Sequence, residues 1–425
     1  MRIHLPGPLR WLYPGMGVKR WALLSLFSMS LVAFSILEIV GKERIREIYR
    51  LLPATVWARY VLVTLILLVG IAGFTAGVSC LVRSVARGVA PQRKEKPSEI
   101  IYRTRILERG PRIVALGGGT GLSTLLRGLK EETSNITAVV AVMDDGGSSG
   151  RLRDELDVLP PGDIRNCIIA LAEDEARMSR FFQHRFHGPT ELEGHSLGNL
   201  FLVGAEQVTG GFDLAVEEMS HILDVRGHVL PATLTKTHLV AKMKDGEYVE
   251  GETQISSDPR RIERISLSSP NVRAYDRALQ AIGSAELLIL GPGSLFTSLI
   301  PNLLVEGIAR EIENAKAEKI LVANLMTQPG ETDGFTLCDH LSALNEYVDI
   351  SRFDKVLVND TLPDSQLLAG YREEAAEPVK NDLEDDNEFG LDVVRADLIG
   401  TIELEGKPTV KHDPIKLARL IVNHR

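Results

Sequence analysis

The amino-acid sequence predicts an α/β protein whose mainly parallel sheet is covered by helices on both faces, preceded by two membrane-spanning helices. Short apolar runs recur after residue 112 with helical stretches between them, which is the alternation typical of a buried parallel sheet. The first run leads into a turn rich in glycine, and two long apolar segments lie within the first 82 residues. These observations together set the fold class.

Two apolar segments, residues 21–40 and 61–82, come first along the chain. The first contains only Glu38 as a charged residue, and the second contains none. A spanning helix needs about 20 apolar residues and the core of a signal peptide is shorter, so we expect a transmembrane hairpin over residues 1–82. Two buried core helices are the alternative. The G-x-x-x-G pair at Gly73 and Gly77 would let the two helices approach closely.

Basic residues predict which side of the membrane holds the rest of the chain. Nine of them flank the hairpin at its two ends: Arg2, Arg10, Lys19, Arg20, Arg83, Arg87, Arg93, Lys94 and Lys96. Five lie in the loop between the spans: Lys42, Arg44, Arg46, Arg50 and Arg59. Two spans put both termini on one side, so the positive-inside rule favours the cytoplasmic membrane with the large domain in the cytoplasm.

Residues 83–111 have the composition of a basic linker, and residues 112–425 that of a soluble domain. The net charge of −9 and the lack of a basic stripe in this domain argue against a nucleic-acid partner. The three cysteines are far apart, as is typical of a reducing compartment without disulfides. His184, His187 and His195 lack a carboxylate at metal-site spacing, so no zinc site is expected.

The predicted sheet strands of the soluble domain are five apolar runs. They cover residues 113–116, 137–142, 285–290, 320–323 and 355–358. Ligands bind beyond the carboxyl ends of parallel strands, so the loops that follow these runs are where a site is expected. Residues 237–251 alternate around Asp245-Gly246, which predicts a β-hairpin outside the main sheet. Residues 381–388 are acidic and predict a solvated loop.

The loop after the first run, termed here the glycine elbow, consists of Gly117, Gly118, Gly119, Thr120 and Gly121. Its glycines permit positive φ values and a close approach of the backbone to a phosphate, and the N–H groups of the following helix would face that anion. The spacing does not match the dinucleotide fingerprint G-x-G-x-x-G, and no Walker lysine follows. A glycine-rich turn without a ligand is the alternative.

The loop after the second run carries two adjacent carboxylates, Asp144 and Asp145, followed by Ser148, Ser149 and Arg151. Carboxylates that face a phosphate cradle suit a hydrated Mg²⁺ ion or a ribose hydroxyl pair. The alternative is that they only cap a helix or bind the amide groups of a turn. The hydroxyl and guanidinium groups suit phosphate oxygens, although an arginine at a helix start is often only solvated.

Further site residues, which are polar side chains and loop glycines, are expected at the same edge of the sheet. They are Asn166, Ser196, Asn199, Gly291, Gly293, Ser294 and Asn324. Asp163 precedes a predicted helix, where a capping role and a ligand contact are equally compatible with the sequence. The sequence shows no arrangement typical of a catalytic serine or cysteine. The predicted site therefore holds phosphates and hydroxyls without an identified nucleophile.

Six motifs occur in order along the soluble domain. They are GGGTGLSTLLRGLK from Gly117, MDDGGSSGRLR from Met143, PPGDIRN from Pro160, GHSLGNL from Gly194, LGPGSLFTSLIPNLLV from Leu290 and MTQPGETDGF from Met326. In these motifs the domain resembles the YvcK group, the gluconeogenesis factors, of the CofD-like superfamily. The resemblance extends from Arg112 to about His424 and implies a Rossmann-like, nucleotide-binding domain.

The resemblance also implies a function. The YvcK group implies binding of a UDP-sugar such as UDP-N-acetylglucosamine, and a regulatory role that links carbon metabolism in gluconeogenic growth to cell-wall synthesis and cell shape. Cell-wall or morphogenesis proteins, and a second copy of the chain, are the partners it suggests. The related CofD branch implies an alternative, the Mg²⁺-dependent transfer of 2-phospho-lactate from a nucleotide-activated donor to a deazaflavin. Aromatic residues are only 5% of the chain and offer no obvious stacking set for a deazaflavin, which favours the regulator.

Three features depart from the family pattern. Tyr371 begins a segment associated with the uridine-sugar ligand, and in it Ala375 stands where glycine is usual. In a second such segment Lys411 stands where arginine is usual, which keeps the charge but loses the bidentate fork. The N-terminal hairpin is an addition to a family of mostly soluble proteins.

Overall fold

The structure, a computed structural model, describes residues 18–40, 56–89, 107–373, 375–404 and 407–424. The chain divides into two units, Met1–Thr104 and Arg105–Arg425. Most of the predicted basic linker falls on residues 90–106, which lie outside the described residues. Within the predicted linker, residues 83–89 belong to a helix, and Leu107–Arg109 form a 3₁₀ turn. Leu107 is buried, so the folded domain begins before Arg112.

The first unit contains two helices, α1 (Val18–Val40) and α2 (Val56–Val89). Within the described residues, one helical segment is long and apolar enough to cross a membrane, Tyr60–Val82, and it has 23 residues. The apolar part of α1, Arg20–Ile36, is shorter than that. The second predicted span therefore has stronger support than the first.

The two helices of this unit approach each other at the predicted glycines. A Cβ atom added at Gly73 would lie 2.5 Å from Ser28 Oγ, and one added at Gly77 would lie 2.5 Å from Ser25 Oγ. Both distances are shorter than a real Cβ contact, so a side chain at either glycine would require the facing serine to move. The small residues thus form the contact between α1 and α2, as the G-x-x-x-G spacing predicts.

The second unit contains twelve described strands and thirteen described α-helices. In chain order the strands are β1 (Ile113–Gly117), β2 (Ile136–Val140), β3 (His228–Pro231), β4 (Leu239–Met243), β5 (Tyr248–Glu250), β6 (Ile262–Leu267), β7 (Leu287–Leu290), β8 (Glu318–Val322), β9 (Lys355–Asn359), β10 (Asp392–Ala396), β11 (Ile399–Leu404) and β12 (Lys407–His412). The helices are α3 (Gly119–Leu129), α4 (Gly147–Leu156), α5 (Gly162–Leu171), α6 (Glu175–Phe182), α7 (Leu197–Thr209), α8 (Phe212–Ile222), α9 (Glu252–Ser257), α10 (Asp276–Ser284), α11 (Ile300–Leu304), α12 (Ile308–Asn314), α13 (Leu337–Asn345), α14 (Ser365–Glu373) and α15 (Pro414–Asn423).

Seven strands form one parallel sheet in the order β10-β9-β8-β7-β1-β2-β3, which confirms the predicted α/β, Rossmann-like fold. The chain builds the sheet outward from β1 to β3, and then adds β7 to β10 on the other side of β1. Strands β1 and β7 are therefore neighbours whose connections leave in opposite directions. Such a switch point leaves a crevice at the carboxyl ends of the strands, where ligands of α/β proteins bind.

All five predicted runs form strands of this sheet. The edge strands β3 and β10 were not predicted. The predicted hairpin around Asp245 is present as β4 and β5, with Gly246 at φ +90°, and β6 completes a separate three-stranded antiparallel sheet. Strands β11 and β12 form a second hairpin.

Helix α3 holds the glycine elbow against the core. Leu122, Leu125, Leu126 and Leu129 follow helical spacing and are fully buried, so one face of α3 lies in the apolar interior. Each such side chain contributes roughly 1.5–3 kcal/mol of burial free energy. On another face a Cβ atom at Gly128 would lie 1.8 Å from the carbonyl oxygen of Pro414, so only glycine permits this contact with α15. The position of the elbow is thereby set from both sides.

Candidate functional site

The glycine elbow connects β1 to the first turn of α3. Gly118 is the N-cap residue and provides no side-chain cap, and Gly119 has φ +59°, a conformation that favours glycine. The N–H group of Gly119 donates a hydrogen bond to Oδ2 of Asp163, at 2.6 Å. A carboxylate from the start of α5 thus occupies the place where an anion is expected at a helix N-terminus.

The loop after β7 forms the second wall of the site. A Cβ atom at Gly121 would lie 2.1 Å from the carbonyl oxygen of Pro292, so the elbow and this loop are in backbone contact. The side chain of Asn324 binds both main-chain groups of Gly293: Nδ2 donates to the carbonyl oxygen at 2.8 Å, and Oδ1 accepts from N–H at 3.2 Å. Asn324 therefore shapes the wall of the site.

The third wall comes from the C-terminal part of the domain. Lys411, on β12, donates from Nζ to the Thr120 hydroxyl at 3.1 Å. The neighbouring N–H of Val410 donates to the hydroxyl of Tyr371 at 2.9 Å, which ties β12 to α14. Burial lowers the pKa of Lys411, because the ammonium group has lost part of its hydration. The ammonium is available to a ligand anion at the elbow.

Ala375 ends α14 in a left-handed conformation, with φ +58°. Its N–H donates to the carbonyl oxygen of Arg372, and the N–H of Ala376 donates to that of Tyr371. These two bonds form a Schellman motif, in which the residue at the position of Ala375 is usually glycine. The family preference for glycine at this position thus has a physical reason, and this chain carries the strain of alanine.

The three walls enclose a cleft of about 320 Å³, termed the elbow cleft. Nine of the predicted site residues line it: Gly118, Gly119, Thr120, Gly121, Gly293, Ser294, Asn324, Tyr371 and Lys411. The loop after the fifth predicted strand, with Asn359, lies in an adjoining cleft of about 430 Å³ that shares Asn324 and Leu325 with the elbow cleft. The predicted convergence of loops at one edge of the sheet is present in the structure.

A further cleft of about 270 Å³, termed the arginine cleft, lies on the other side of Asp163. Five predicted residues line it: Asp144, Ser148, Ser149, Asn166 and Asn199. Asp163 lines it too and binds Gly119 of the elbow, so this carboxylate stands between the two clefts. The sequence suggested one site, whereas the structure divides the predicted residues between two neighbouring clefts.

The remaining predicted residues line neither of these clefts. They are Gly117, Asp145, Arg151, Ser196 and Gly291. Asp145 binds the start of α9 instead, since its Oδ1 accepts from the N–H and the hydroxyl of Thr253 at 2.8 and 2.7 Å. Arg151 is exposed and donates to the carbonyl oxygen of Glu193. Gly117 and Gly291 are part of the sheet and its direct continuation.

Several carboxyl groups around the clefts have a pKa above the usual range of their side chains. Burial, reinforced by the charge of Asp144, raises the pKa of Asp163 to about 6. Burial is also the main cause that raises the pKa of Asp144 itself. Glu252, at the start of α9, has its pKa raised to about 9 by burial and by the charges of Asp144 and Asp163. This side of the site therefore carries less negative charge at neutral pH than its sequence suggests.

The predicted metal ligands, Asp144 and Asp145, differ in their surroundings. Only Asp144 lines a cleft, and its Oδ1 accepts from the N–H of Gly146 at 2.8 Å. Within the described residues, no group of three or more His, Cys, Asp or Glu side chains is placed to hold a metal ion. Mg²⁺ commonly takes one carboxylate together with substrate phosphates, and Asp144 fits that lesser role.

Sequence reasoning missed three charged residues of the arginine cleft or assigned them no clear role. For Asp163 the sequence is equally compatible with a helix cap and a ligand contact, and it predicts no role for Arg165 or Arg185. Arg165 lies between two residues of the PPGDIRN motif that were considered, so that motif was the available signal. Arg185 has no comparable local signal, because only the fold brings it to the cleft.

The sequence model of the family described as 2-phospho-L-lactate transferase CofD matches residues 113–399, which include the seven-stranded sheet and most of the residues that line the elbow cleft. The chain belongs to the CofD family. Within that family it is of the YvcK type, since its relatives are named as gluconeogenesis factors. The gluconeogenesis factor of Bacillus subtilis is 46% identical over 314 residues, which cover 74% of this chain and 98% of that protein.

A solved structure supports the same assignment for this CofD-family chain. A crystal structure of a protein from Bacillus halodurans is 43% identical and superposes with a TM-score of 0.70. It covers 74% of this chain and 100% of that protein. A relative from Nostoc sp. is 42% identical over 424 residues, which cover 97% of this chain and 91% of that protein. The N-terminal segment is therefore shared with some CofD-family relatives, and is not an addition peculiar to this chain.

Proposed function

We propose that this CofD-family protein binds a nucleotide-sugar of the UDP-N-acetylglucosamine type in the elbow cleft. We propose further that it acts as a regulator linking carbon metabolism in gluconeogenic growth to cell-wall synthesis and cell shape. The observation that carries the binding proposal is the convergence of the elbow and Lys411 on one cleft at the switch point of the sheet. The metabolic part is supported by the name that its relatives carry.

The chemistry of the elbow cleft suits a diphosphate. The N-terminus of α3 offers the positive end of the helix dipole and its main-chain N–H groups other than that of Gly119, which binds Asp163. Lys411 adds a half-buried ammonium group 3.1 Å from Thr120 Oγ1, where a phosphate oxygen would meet both groups. Ser294 and Gln328 also line the cleft and are joined by a hydrogen bond of 2.7 Å, so they offer polar contacts to a sugar or a ribose.

Calorimetry on the full chain in detergent tests this proposal, with UDP-N-acetylglucosamine, a GDP-type donor and NAD as ligands. We expect the UDP-sugar to bind, and Gly119→Val to abolish binding, because the added side chain would occupy the phosphate position and resist φ +59°. Gly210→Val is the matched control: Gly210 has φ +82° at the C-terminus of α7 and no atom near its missing Cβ, but it lies outside the cleft. Unchanged affinity in Gly119→Val would contradict the proposal.

A Mg²⁺-dependent transferase is the second candidate function, and the CofD family model and the position of Asp144 favour it. In a transferase, Asp144 would help to hold Mg²⁺ against the donor phosphates as charge develops there. Asp144→Asn would then remove turnover far more than ground-state binding. For the regulator we expect the UDP-sugar to remain chemically intact with Mg²⁺ present. Metal-dependent consumption of a nucleotide donor, lost in Asp144→Asn, would establish the transferase instead.

The membrane part of the proposal is separate. We propose that the hairpin anchors the chain in the cytoplasmic membrane with both termini in the cytoplasm, where a second copy or wall-synthesis proteins can meet the domain. The apolar segment Tyr60–Val82 and the nine-to-five distribution of basic residues support this. A reporter fused after Arg425 should be active only in the cytoplasm. Activity confined to the outside would refute this orientation.

A further inference from the structure

We propose that the arginine cleft is a second anion-binding subsite, in which Arg165 and Arg185 bind a phosphate group separate from the one at the elbow. The subsite is inferred from its own residues. The bound phosphate could belong to the nucleotide-sugar that is proposed to bind at the elbow, and only this further step rests on the proposed function.

Arg165 is a buried cation that forms no ion pair. It is 8% exposed and lines the cleft. Its Nη1 donates to Oδ1 of Asn199 at 2.6 Å and to the hydroxyl of Ser196, and its Nη2 donates to Oδ1 of Asn166 at 2.9 Å. These partners are neutral, and Nε has no partner. Within the described residues, no carboxylate lies within 4.0 Å of the guanidinium. The charges of Asp163 and Asp144 favour the charged form of Arg165, but neither residue is in direct contact with it. A buried cation without a direct ion pair is costly, so an anion is expected beside its unpaired Nε.

A second guanidinium faces the same cleft. Arg185 follows α6 and is exposed, and its Nη1 donates to the carbonyl oxygen of Gly194 at 2.8 Å. After burial, the charge of Arg185 is the next largest cause that lowers the pKa of Arg165 to about 10. The two cations therefore repel each other across the cleft. A bound phosphate would attract both cations and would accept hydrogen bonds from both guanidinium groups.

The remaining wall of the cleft offers further donors. It includes the N-terminus of α4, a helix of 10 residues whose N-cap Gly146 provides no side-chain cap. Gly147 has φ +48°, and the space beside its missing Cβ is open. The hydroxyls of Ser148 and Ser149 in the same turn are already hydrogen-bonded, the first to His195 and Asn199 and the second to Asp144, so the donors that remain are main-chain groups. This wall thus presents main-chain N–H groups and the positive end of a helix dipole to the arginine pair.

Two carboxyl groups, Asp144 and Asp163, also line the cleft and reduce its positive charge. Asp163 accepts a hydrogen bond from the N–H group of Gly119 at 2.6 Å, and Asp144 accepts one from that of Gly146 at 2.8 Å. Each carboxylate therefore has a main-chain donor of its own, and the Nε of Arg165 is left for a bound anion.

Binding of inorganic phosphate to the full chain in detergent, followed by ³¹P NMR titration, tests the subsite. We expect the wild type to bind two phosphates and Gly119→Val, which blocks the elbow, to bind one. In the Gly119→Val background, Arg185→Gln should weaken the remaining site about tenfold or more, and Arg185→Lys should weaken it less. Arg185 is suited to this test because it is exposed and its one described hydrogen bond is to a loop carbonyl.

Arg180→Gln is the matched control, since Arg180 is exposed on α6 and does not line the cleft. Equal losses of phosphate affinity in Arg180→Gln and Arg185→Gln would show that the effect comes from net charge alone, and would overturn the proposal. Loss of all phosphate binding in Gly119→Val alone would also overturn it, while leaving the elbow proposal intact. Phosphate binding that depends on Arg185 in a wild-type chain that binds no nucleotide-sugar would support the subsite and contradict the proposed function.

Discussion

The carboxylate of Asp163 accepts a hydrogen bond from the main-chain N–H of Gly119, with 2.6 Å between Oδ2 and N. The contact joins the start of α5 to the start of α3 and places an acid between the elbow cleft and the arginine cleft. A phosphate that approaches the elbow must meet this group. We therefore expect the protonation of Asp163 to affect both the stability of the domain and the binding of the proposed ligand.

Asp163→Asn should change how stability depends on pH. The pKa of Asp163 is raised from 3.8 to about 6, so the native state holds the proton more tightly than the unfolded chain does. Its contribution to stability is full below pH 4 and is lost as the pH rises through 6. Asparagine does not titrate but keeps an acceptor for Gly119. We expect the variant to exceed the wild type above pH 6 by on the order of 1–2 kcal/mol in the free energy of unfolding.

Urea unfolding of the full chain in detergent, followed by circular dichroism between pH 4 and 8, measures this difference. Asp154→Asn serves as the control, because Asp154 is exposed on α4. Parallel pH profiles for Asp163→Asn and the wild type would show that this carboxyl group does not titrate in the folded state as described.

Gly121→Ala and Gly119→Ala should differ strongly in stability although they lie two positions apart. At Gly121 the new Cβ would lie 2.1 Å from the Pro292 carbonyl oxygen, so the two main-chain segments must separate. We expect a loss of about 3 kcal/mol or more. At Gly119 the nearest atom would be Ser298 Oγ at 3.7 Å, and the loss of about 1–2 kcal/mol comes from φ +59° alone. Equal losses, measured by urea unfolding, would mean that the contact with Pro292 is easily relieved.

Ala375→Gly should stabilise the domain. Ala375 has φ +58° at the end of α14, and glycine adopts this conformation without the steric cost of Cβ. We expect a gain of about 0.5–1 kcal/mol in the free energy of unfolding. Ala376→Gly is the neighbouring control: its side chain is buried, so the same replacement should destabilise the domain by about 1 kcal/mol. A loss of stability in both variants would contradict the assigned strain.

Lys411 should determine nucleotide affinity more than stability. Lys411→Met removes a cation beside Thr120, and we expect affinity for a UDP-sugar to fall about tenfold or more. Lys411→Arg should bind at least as tightly as the wild type, because the guanidinium fork can bind a phosphate through two parallel hydrogen bonds. Calorimetry checks both. Lys316→Met, an exposed change before the amino end of β8, should leave affinity unaltered; a similar fall there would point to net charge.

The sequence by itself determined the main strands of the domain and the character of the elbow. Strands β1 and β7 are buried on both faces, and such strands must be apolar throughout, which makes them visible as runs. The edge strands were missed for the converse reason. Strand β10 is only partly buried and carries Asp392 and Arg395, and β3 has four residues and ends in Pro231.

Only the tertiary structure decided which polar residues meet at the site. Asp163 binds Gly119 across 44 positions of sequence, and Lys411 binds Thr120 across 291. These contacts follow from the order of strands in the sheet and from the packing of α3 between α5 and α15, and no local pattern encodes either. Adjacent residues were separated for the same reason: Asp144 lines a cleft, whereas the next carboxylate along the chain binds the start of α9. Local sequence specifies secondary structure and chemical type, whereas the meeting of distant side chains depends on how the buried surfaces pack.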